Sequence, residues 1–376
     1  MILSPASAMT PPPHRQRSSH EQHANRRARH FRLFLHRRVH HRLWRISSLV
    51  VRGLLLLGDL LLVIGTLWML GLFIYQPVAI LPVALLLLLL TILWWYGRRM
   101  RFRVGILLCL IVSAVTFTLL PNPQPEAWET PWAQTPEFHL EGDRLTISHL
   151  RDFSYRTPDD FDVRYRTETY DLSTITGADF AECYWDGHVA ICHTMLSFSF
   201  ADGRHLVVSG ETRLPKGVEQ NAVGGLYKQY GIAYLFGTEE DIFALRTNYR
   251  HEDLYLYPMN ITPQQARALL LRMVSIAETA HRDHTAYNTL TNNCSSGIVN
   301  SFVPPGRSLP WKYRYLPVHN GSIAEILFEH GALRSGNAST MDELRQRGYL
   351  GYDIAPGQPA EYSRAIRATQ ELQESQ

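Results

Sequence analysis

Three long apolar stretches near the N-terminus limit what this chain can fold into. They cover about residues 53–75, 78–96 and 104–121. Each is close to the ~20 residues that a helix needs to cross the hydrocarbon core of a bilayer. Together they are too many and too long for one cleaved signal peptide. The sequence therefore predicts three transmembrane α-helices within residues 51–121.

The arginines predict how these helices are oriented. Residues 1–52 contain eleven Arg, seven His and a single acidic residue, and the loop at 98–103 contains four more Arg, whereas Gln76-Pro77 carries no charge. Because cytoplasmic loops are enriched in Lys and Arg, the N-terminus and the arginine loop are predicted to be cytoplasmic. The predicted location is the bacterial inner membrane, with a multi-pass anchor and everything after residue 121 in the periplasm.

The rest of the chain divides by composition. Residues 1–50 are predicted to be a basic tail, either disordered or an amphipathic helix on an anionic membrane surface, or simply a topogenic flank. Residues 122–138 form a proline-rich linker, whose main fifteen residues span about 50 Å even when fully extended at ~3.5 Å each. A soluble domain at 139–335 must therefore stay close to the membrane. Residues 336–376 are predicted to be a C-terminal extension, polar and mobile after about Pro356.

The soluble domain is predicted to be α+β. Alternating apolar and polar residues predict half-buried strands at 144–149, 161–170, 181–185, 193–200 and 205–213. Asp202-Gly203 indicates a hairpin between the last two. Thr262 caps a predicted helix that ends near His281, and a shorter helix is predicted at 322–330. Strands followed by helices are typical of the α+β class.

One polar turn in this domain has the features of a nucleophile site. In the segment Thr291–Ser296, Asn293 is a good N-cap residue, which would place Cys294 in the first turn of a short helix. The free N–H groups and the helix dipole there stabilise a thiolate, the reactive form of cysteine. The Asn292 or Asn293 amide would then serve an oxyanion site. The alternative is a small buried cysteine in a helix cap.

A nucleophilic cysteine needs a base, and His193 is the best candidate because it begins a strand that would hold its imidazole rigidly. The other histidines of the domain considered for this role are His188, His205, His251, His281 and His284. His281 and His284 precede the cysteine but would lie at a fraying helix end.

A third group should orient the imidazole, and Glu211 or, as a weaker choice, Ser209 would serve. The hairpin register decides between them. A two-residue turn pairs His193 with Thr212 and sends Glu211 to the opposite face. A three-residue loop with a bulge pairs His193 with Arg213 and brings Glu211 diagonally onto the histidine's face.

The number of cysteines predicts that Cys294 is not in a disulfide. Cys183 and Cys192 flank a predicted bend and could pair in an oxidising compartment, or all three cysteines of the domain are simply buried.

Two resemblances extend this interpretation. A strand histidine followed by Asn-Cys at a helix start resembles the circularly permuted papain-like fold of NlpC-type and lecithin:retinol acyltransferase-like enzymes. Residues of about 140–330 are more closely similar to the Lnb-type N-terminal periplasmic domain family, in the segments Asp152–Arg156, Tyr170–Ser173, His193–Phe198, Glu211–Arg213, Leu245–Arg250 and Tyr287–Cys294.

The family resemblance implies Cys294 as nucleophile and His193 as base, with Glu211 at a characteristic family position. Ser209 and Arg213 are further candidate oxyanion or substrate contacts. The family's namesake moves an acyl chain within bacterial lipoproteins onto their N-terminal amine.

These observations favour a membrane-anchored, thiol-dependent acyltransferase or esterase. Its predicted substrate is a lipid or lipoprotein acyl ester, which matches a domain tethered close to the membrane. No metal, organic cofactor or nucleic-acid partner is implied. The alternatives are a cell-wall amidase or peptidase and a noncatalytic membrane scaffold.

Overall fold

A computed structural model describes most of the chain outside the N-terminal tail. The described residues are 49–54, 56–58, 60–69, 71–72, 74–75, 99–185, 187, 189–304, 306–355, 358 and 361–374. The chain forms two compact units, one of residues 1–69 and 87–111 and one of residues 70–86 and 112–376. Most of the predicted basic tail at 1–50 and the predicted second span at 78–96 lie outside the described residues.

The described N-terminal helices confirm one of the three predicted spans as a helix of sufficient length. Helix α1, Leu49–Met69, is the one helix among the described residues that is long and apolar enough to cross a membrane. Helix α2 covers Arg99–Leu119, but its apolar part, Val104–Leu119, is shorter than the ~20 residues that a span requires. The loop arginines predicted to precede this helix lie within its first turns, and its apolar part begins at the predicted residue, 104.

The second unit is built on a mixed sheet. Its strands are β1 Glu137–Glu141, β2 Arg144–Arg151, β5 Tyr165–Asp171, β6 Ile175–Tyr184, β7 His193–Phe200, β8 His205–Arg213, β9 Gly231–Gly237 and β10 Asp253–Pro258. The order is β1-β2-β9-β8-β7-β6-β10, with β5 also paired to β2. Short strands β3 (Ser154–Tyr155) and β4 (Phe161–Asp162) pair separately. The β2–β9 pair is parallel and the other pairs are antiparallel.

Helices cover both faces of this sheet. Helices α4 (Pro263–Arg282) and α5 (Cys294–Ser301) pack with the larger apolar core, whereas α3 (Glu239–Ala244) packs with the smaller one. The predicted capping box of α4 is present, and helix α6 (Ile323–Glu329) follows the prediction for 322–330.

The predicted strands differ from the observed ones in three places. The run predicted at 161–170 is divided between β4 and β5, and β6 begins six residues before the predicted start at 181. Every residue of β9 is buried, so this strand shows a continuous apolar run instead of an alternating pattern. Such a run cannot be distinguished from a buried helix by its period alone.

The β7–β8 hairpin settles the register that the sequence leaves open. Three residues separate Phe200 from Arg204, whose carbonyl oxygen accepts from the Phe200 N–H, and Met195 pairs with Ser209. Continuing this register by two residues sets His193 opposite Glu211, a pairing that differs from both predicted registers. The carboxylate therefore lies on the histidine's face of the sheet.

The C-terminal residues correct a second prediction. Instead of a mobile polar tail, they form helices α7 (Met341–Gly348) and α8 (Tyr362–Glu374). Tyr362 and Ile366, one turn apart, are fully buried in the smaller core. Arg367 pairs with the buried carboxylates of Asp179 and Glu239. These partners are distant in sequence, which is why composition alone suggested mobility.

The proline-rich linker is bound to the domain rather than free. The Lys216 N–H donates to Ala127 O and the Glu129 N–H donates to Leu214 O. Arg213 donates to the carbonyl oxygens of Trp132 and Ala133, both at 2.9 Å. The linker therefore fixes the chain leaving α2 against the end of β8.

Candidate active site

Helix α5 carries the predicted nucleophile at its first residue. Asn293 caps the helix as predicted, accepting from the Ser295 N–H at 3.1 Å, and Cys294 follows half-buried. The start of α5 lies very close to β8. A Cβ at Gly210 would lie 2.8 Å from Cys294 O, and one at Gly297 would lie 2.3 Å from Tyr234 Oη. Glycine at both positions lets the helix approach the sheet closely enough to bring the thiol to β7.

His193, the first residue of β7, lies close enough to the Cys294 side chain for each group to shift the pKa of the other. On its other side, His193 Nε2 lies 2.7 Å from Ser209 Oγ and 3.2 Å from Glu211 Oε1. Ser209 Oγ donates to the same carboxylate oxygen at 2.7 Å. The hydroxyl can therefore accept from Nε2–H and donate to Glu211, which fixes the ring and places a proton on Nε2.

Arg246 completes this line of groups. Its Nη2 donates to Glu211 Oε1 at 3.0 Å, and its Nη1 donates to Ile242 O at 2.7 Å. The residue lies on a π-helical turn, Leu245–Tyr249, and is buried. Single π-helical turns are frequent at functional sites. The contact of Arg246 with the Glu211 carboxylate was not predicted from the sequence.

The electrostatics of the pair favour a thiolate and an imidazolium. Burial opposes the charged ring, but the Glu211 charge and the hydrogen bonds to Cys294 and Glu211 outweigh it and raise the pKa of His193 to about 9. Burial also opposes the thiolate, but the hydrogen bond and charge of His193 outweigh it and lower the pKa of Cys294. The pKa of Glu211 is held well below its usual range, because His193 and Arg246 outweigh the effect of burial.

Three residues that the sequence reasoning missed fix the first turn of α5. Ser295 Oγ accepts from Thr194 Oγ1 at 3.0 Å and from Asn320 Nδ2 at 2.6 Å. Its own hydrogen is then free to point at Cys294 Sγ, 3.7 Å away, and this contact further lowers the pKa of the thiol. Asn320 also accepts from the Cys192 N–H and donates to Cys192 O. Nothing local in the sequence signals Asn320, because its partners are over 20 residues away.

The other predicted site residues lie apart from the thiol or are engaged elsewhere. Asn292 Nδ2 donates to Ala286 O, and Asn293 Nδ2 donates to Thr289 O. Both amides therefore stabilise the loop before α5. Arg213 holds the linker, as described above. The structure brings together Cys294, His193, Ser209 and Glu211, and their catalytic roles stay predictions.

The two remaining cysteines of the domain are free and buried. In the β6–β7 register, Cys183 lies opposite His193. Cys192 directly precedes His193, so it is offset by one residue from the position opposite Cys183. Their side chains therefore point to opposite faces of the sheet, a geometry unsuited to a disulfide. The Cys183 thiol donates to Glu252 Oε2 at 3.1 Å.

Comparison with protein families gives one match. Residues 161–312 match the Lnb N-terminal periplasmic domain. This region lies within the predicted resemblance at 140–330 and contains His193, Glu211 and Cys294. The match supports the predicted family and indicates a periplasmic, membrane-associated protein, with which the apolar helix α1 agrees. No curated protein and no solved structure matches the chain.

Proposed function

We propose that this protein is a membrane-anchored periplasmic acyltransferase or esterase that acts on a lipid or lipoprotein acyl ester through Cys294 and His193. One observation carries the proposal: Ser209 and Glu211 hold His193 beside Cys294, and the pKa values of this pair are shifted toward the ion pair. A partly exposed cysteine with a lowered pKa beside a histidine is the usual arrangement of a catalytic thiol.

The first half of the reaction uses the ion pair directly. The Cys294 thiolate attacks the ester carbonyl carbon, forming the C–S bond and a tetrahedral oxyanion. Collapse breaks the C–O bond, and the His193 imidazolium gives its proton to the leaving alkoxide. Because Nε2 already contacts Ser209 and Glu211, Nδ1 is the ring nitrogen left to face the thiol and the leaving group. The products are an alcohol and a thioester on Cys294.

The oxyanion would be stabilised at the start of α5. The Cys294 N–H occupies the first helical position, where no intrahelical acceptor exists, whereas the Ser295 N–H is used by the Asn293 side chain. The Cys294 N–H is therefore the donor best placed for developing negative charge.

In the second half, neutral His193 accepts a proton from an attacking amine or water. Nitrogen or oxygen attacks the thioester carbonyl, the C–S bond breaks, and the thiolate and imidazolium are restored. An amine acceptor gives an amide and water gives a carboxylic acid.

The fold part of the proposal is a circularly permuted papain-like domain. It is supported by a cysteine at the start of a helix that packs on an antiparallel region of the sheet, with the histidine on an earlier strand. The membrane part of the proposal is a protein anchored in the inner membrane whose domain works at the outer surface, and it is supported by α1 and by the bound linker.

The test is mass spectrometry of the full-length protein after incubation with membrane lipids and lipoproteins. We expect an acyl adduct on Cys294 that is absent from Cys294→Ala and lost or slowed in His193→Ala. His205→Ala is the matched control, because His205 contacts Ser199 at the far end of β7. An adduct formed only from soluble muropeptides would favour the amidase. No adduct, with Cys294 inert to an alkylating probe at neutral pH, would favour a scaffold.

A further inference from the structure

The segment 221–229 is packed against the ends of the N-terminal helices. Tyr227 stacks on Tyr75, with ring centroids 5.3 Å apart. Lys228 Nζ donates to Leu120 O at 2.7 Å and lies 5.2 Å from the Phe117 ring centroid. Tyr75 continues the helical run that follows α1, and Leu120 directly follows α2. The segment therefore lies where the proposed membrane anchor meets the periplasm.

The same segment supports the loop that leads into Cys294. Thr289 Oγ1 donates to Ala222 O at 2.7 Å, and a Cβ at Gly225 would lie 2.3 Å from Thr289 Oγ1. Thr289 O in turn accepts from Asn293 Nδ2 at 3.0 Å. Continuous contacts therefore run from the helix ends to the N-cap of α5. The segment thus connects Tyr75 and Leu120 to the loop that precedes Cys294.

Exposed apolar side chains project from this layer. Val223 is 51% exposed and Leu290 is 50% exposed, and they lie on the two contacting loops. The Asn293 amide also donates to Pro317 O, in a third loop. Tyr315 and Val318 of that loop are exposed as well. We call these four residues, Val223, Leu290, Tyr315 and Val318, the apolar rim. Ile74 and Leu119, the neighbours of Tyr75 and Leu120 in sequence, are exposed apolar residues too.

We propose that the apolar rim inserts into the outer leaflet of the bilayer and opens the Cys294 site to substrates that stay embedded in it. The inference rests on the proposed function for its substrate class, but the insertion itself does not depend on catalysis. An acyl ester would then reach the thiol laterally, without leaving the membrane.

The residues around the rim favour a lipid surface over a protein partner. Trp311, 84% exposed, precedes Lys312 and Arg314 in the loop that carries Tyr315. Tryptophan and tyrosine are enriched at membrane interfaces, and nearby basic side chains attract anionic headgroups. Segment 221–229, which carries Val223, contacts Tyr75 and Leu120 at the ends of the proposed membrane helices, so its position favours lipid as the occupant.

The test measures the depth of the rim in full-length protein. Leu290→Cys in a Cys294→Ala background is labelled with an environment-sensitive fluorophore and placed in nanodiscs of phosphatidylcholine and phosphatidylglycerol with brominated acyl chains. The Cys294→Ala parent, treated identically, corrects for labelling of other cysteines. We expect strong quenching at position 290.

The matched control is Val163→Cys, equally exposed at 50%. The control site and the rim lie at opposite ends of β9. The neighbour of Val163, Arg164, bonds Asp152 near the Gly237 end, whereas segment 221–229 leads through residue 230 into the Gly231 end. The seven residues of β9 set its two ends about 20 Å apart, so position 163 should lie well away from the bilayer. Equal quenching at 163 and 290, or none at 290, would overturn the proposal and leave a protein partner as the occupant of the rim.

A second arm links insertion to substrate access. In Val223→Asp/Leu290→Asp we expect kcat/KM on an acyl ester presented in vesicles to fall about ten-fold or more, a loss of about 1.4 kcal/mol. Hydrolysis of a short-chain soluble ester should be unchanged, which also shows that the variant is folded. An equal loss on both esters would contradict the proposal. If the wild type hydrolyses neither ester, the proposed function fails while the quenching result still stands.

Discussion

The substitution Glu211→Gln tests the electrostatic basis of the candidate site. Glutamine keeps an oxygen that can accept from the Ser209 hydroxyl, so the geometry around His193 should be preserved. The negative charge is lost, and Arg246 stays positive and buried beside the histidine. The variant therefore changes the charge of the site with little change in its shape.

The size of the effect follows from the pKa of His193. A rise from the ordinary 6.5 to about 9 corresponds to about 3 kcal/mol at 1.36 kcal/mol per pKa unit. If Glu211 supplies about half of this, its loss lowers the ion-pair population roughly ten-fold. The pKa of His193 should fall and that of Cys294 should rise, so more alkaline conditions are needed to form the thiolate.

The assay is the rate of Cys294 alkylation by iodoacetamide as a function of pH, followed by mass spectrometry of the full-length protein. We expect Glu211→Gln to react about ten-fold more slowly at neutral pH and to approach the wild-type rate only at higher pH. Glu168→Gln is the control, since Glu168 pairs with Arg166 and Arg204 away from the site. An unchanged profile in Glu211→Gln would refute the assigned role of the carboxylate.

Two stability predictions follow from close packing and buried charge. Gly297→Ala should lower the free energy of unfolding by about 1–3 kcal/mol, because its methyl group would overlap Tyr234, whereas Gly177→Ala, whose nearest neighbour would be 3.9 Å away, should be nearly neutral in thermal melts. Arg367→Ala should cost about 3–5 kcal/mol, since it leaves two buried carboxylates without their arginine. A melting temperature equal to wild type for Arg367→Ala would refute the contribution of these ion pairs to the stability of the fold.

The sequence predicts the local parts of the site well. Asn293 and Cys294 are adjacent, so the N-cap and the thiol could be placed on one helix from propensity alone. The hairpin strands that carry His193 and Glu211 were likewise evident from their alternating pattern. Their register depended on one residue of loop length, which propensity does not resolve.

The parts that escaped prediction depend on contacts between distant segments. Asn320 reaches Cys192 and Ser295, and Arg246 reaches Glu211 from a π-helical turn. Neither residue carries a pattern that points to its partner. The docking of the C-terminal residues through Arg367 was missed for the same reason, because a charged residue far from its carboxylates looks like part of a solvated tail.

The pairing of charges in the candidate site is consistent with its proposed place at the membrane. A lone thiolate near lipid would be strongly disfavoured, because removing a charge from water is costly unless it is paired. Here the thiolate of Cys294, the imidazolium of His193, the carboxylate of Glu211 and the guanidinium of Arg246 alternate in sign and sum to zero. A neutral row of four charges can stay ionised where water is scarce. Removing Glu211 leaves this row with a net positive charge, so the Glu211→Gln defect should be larger in nanodiscs than with a soluble probe in detergent.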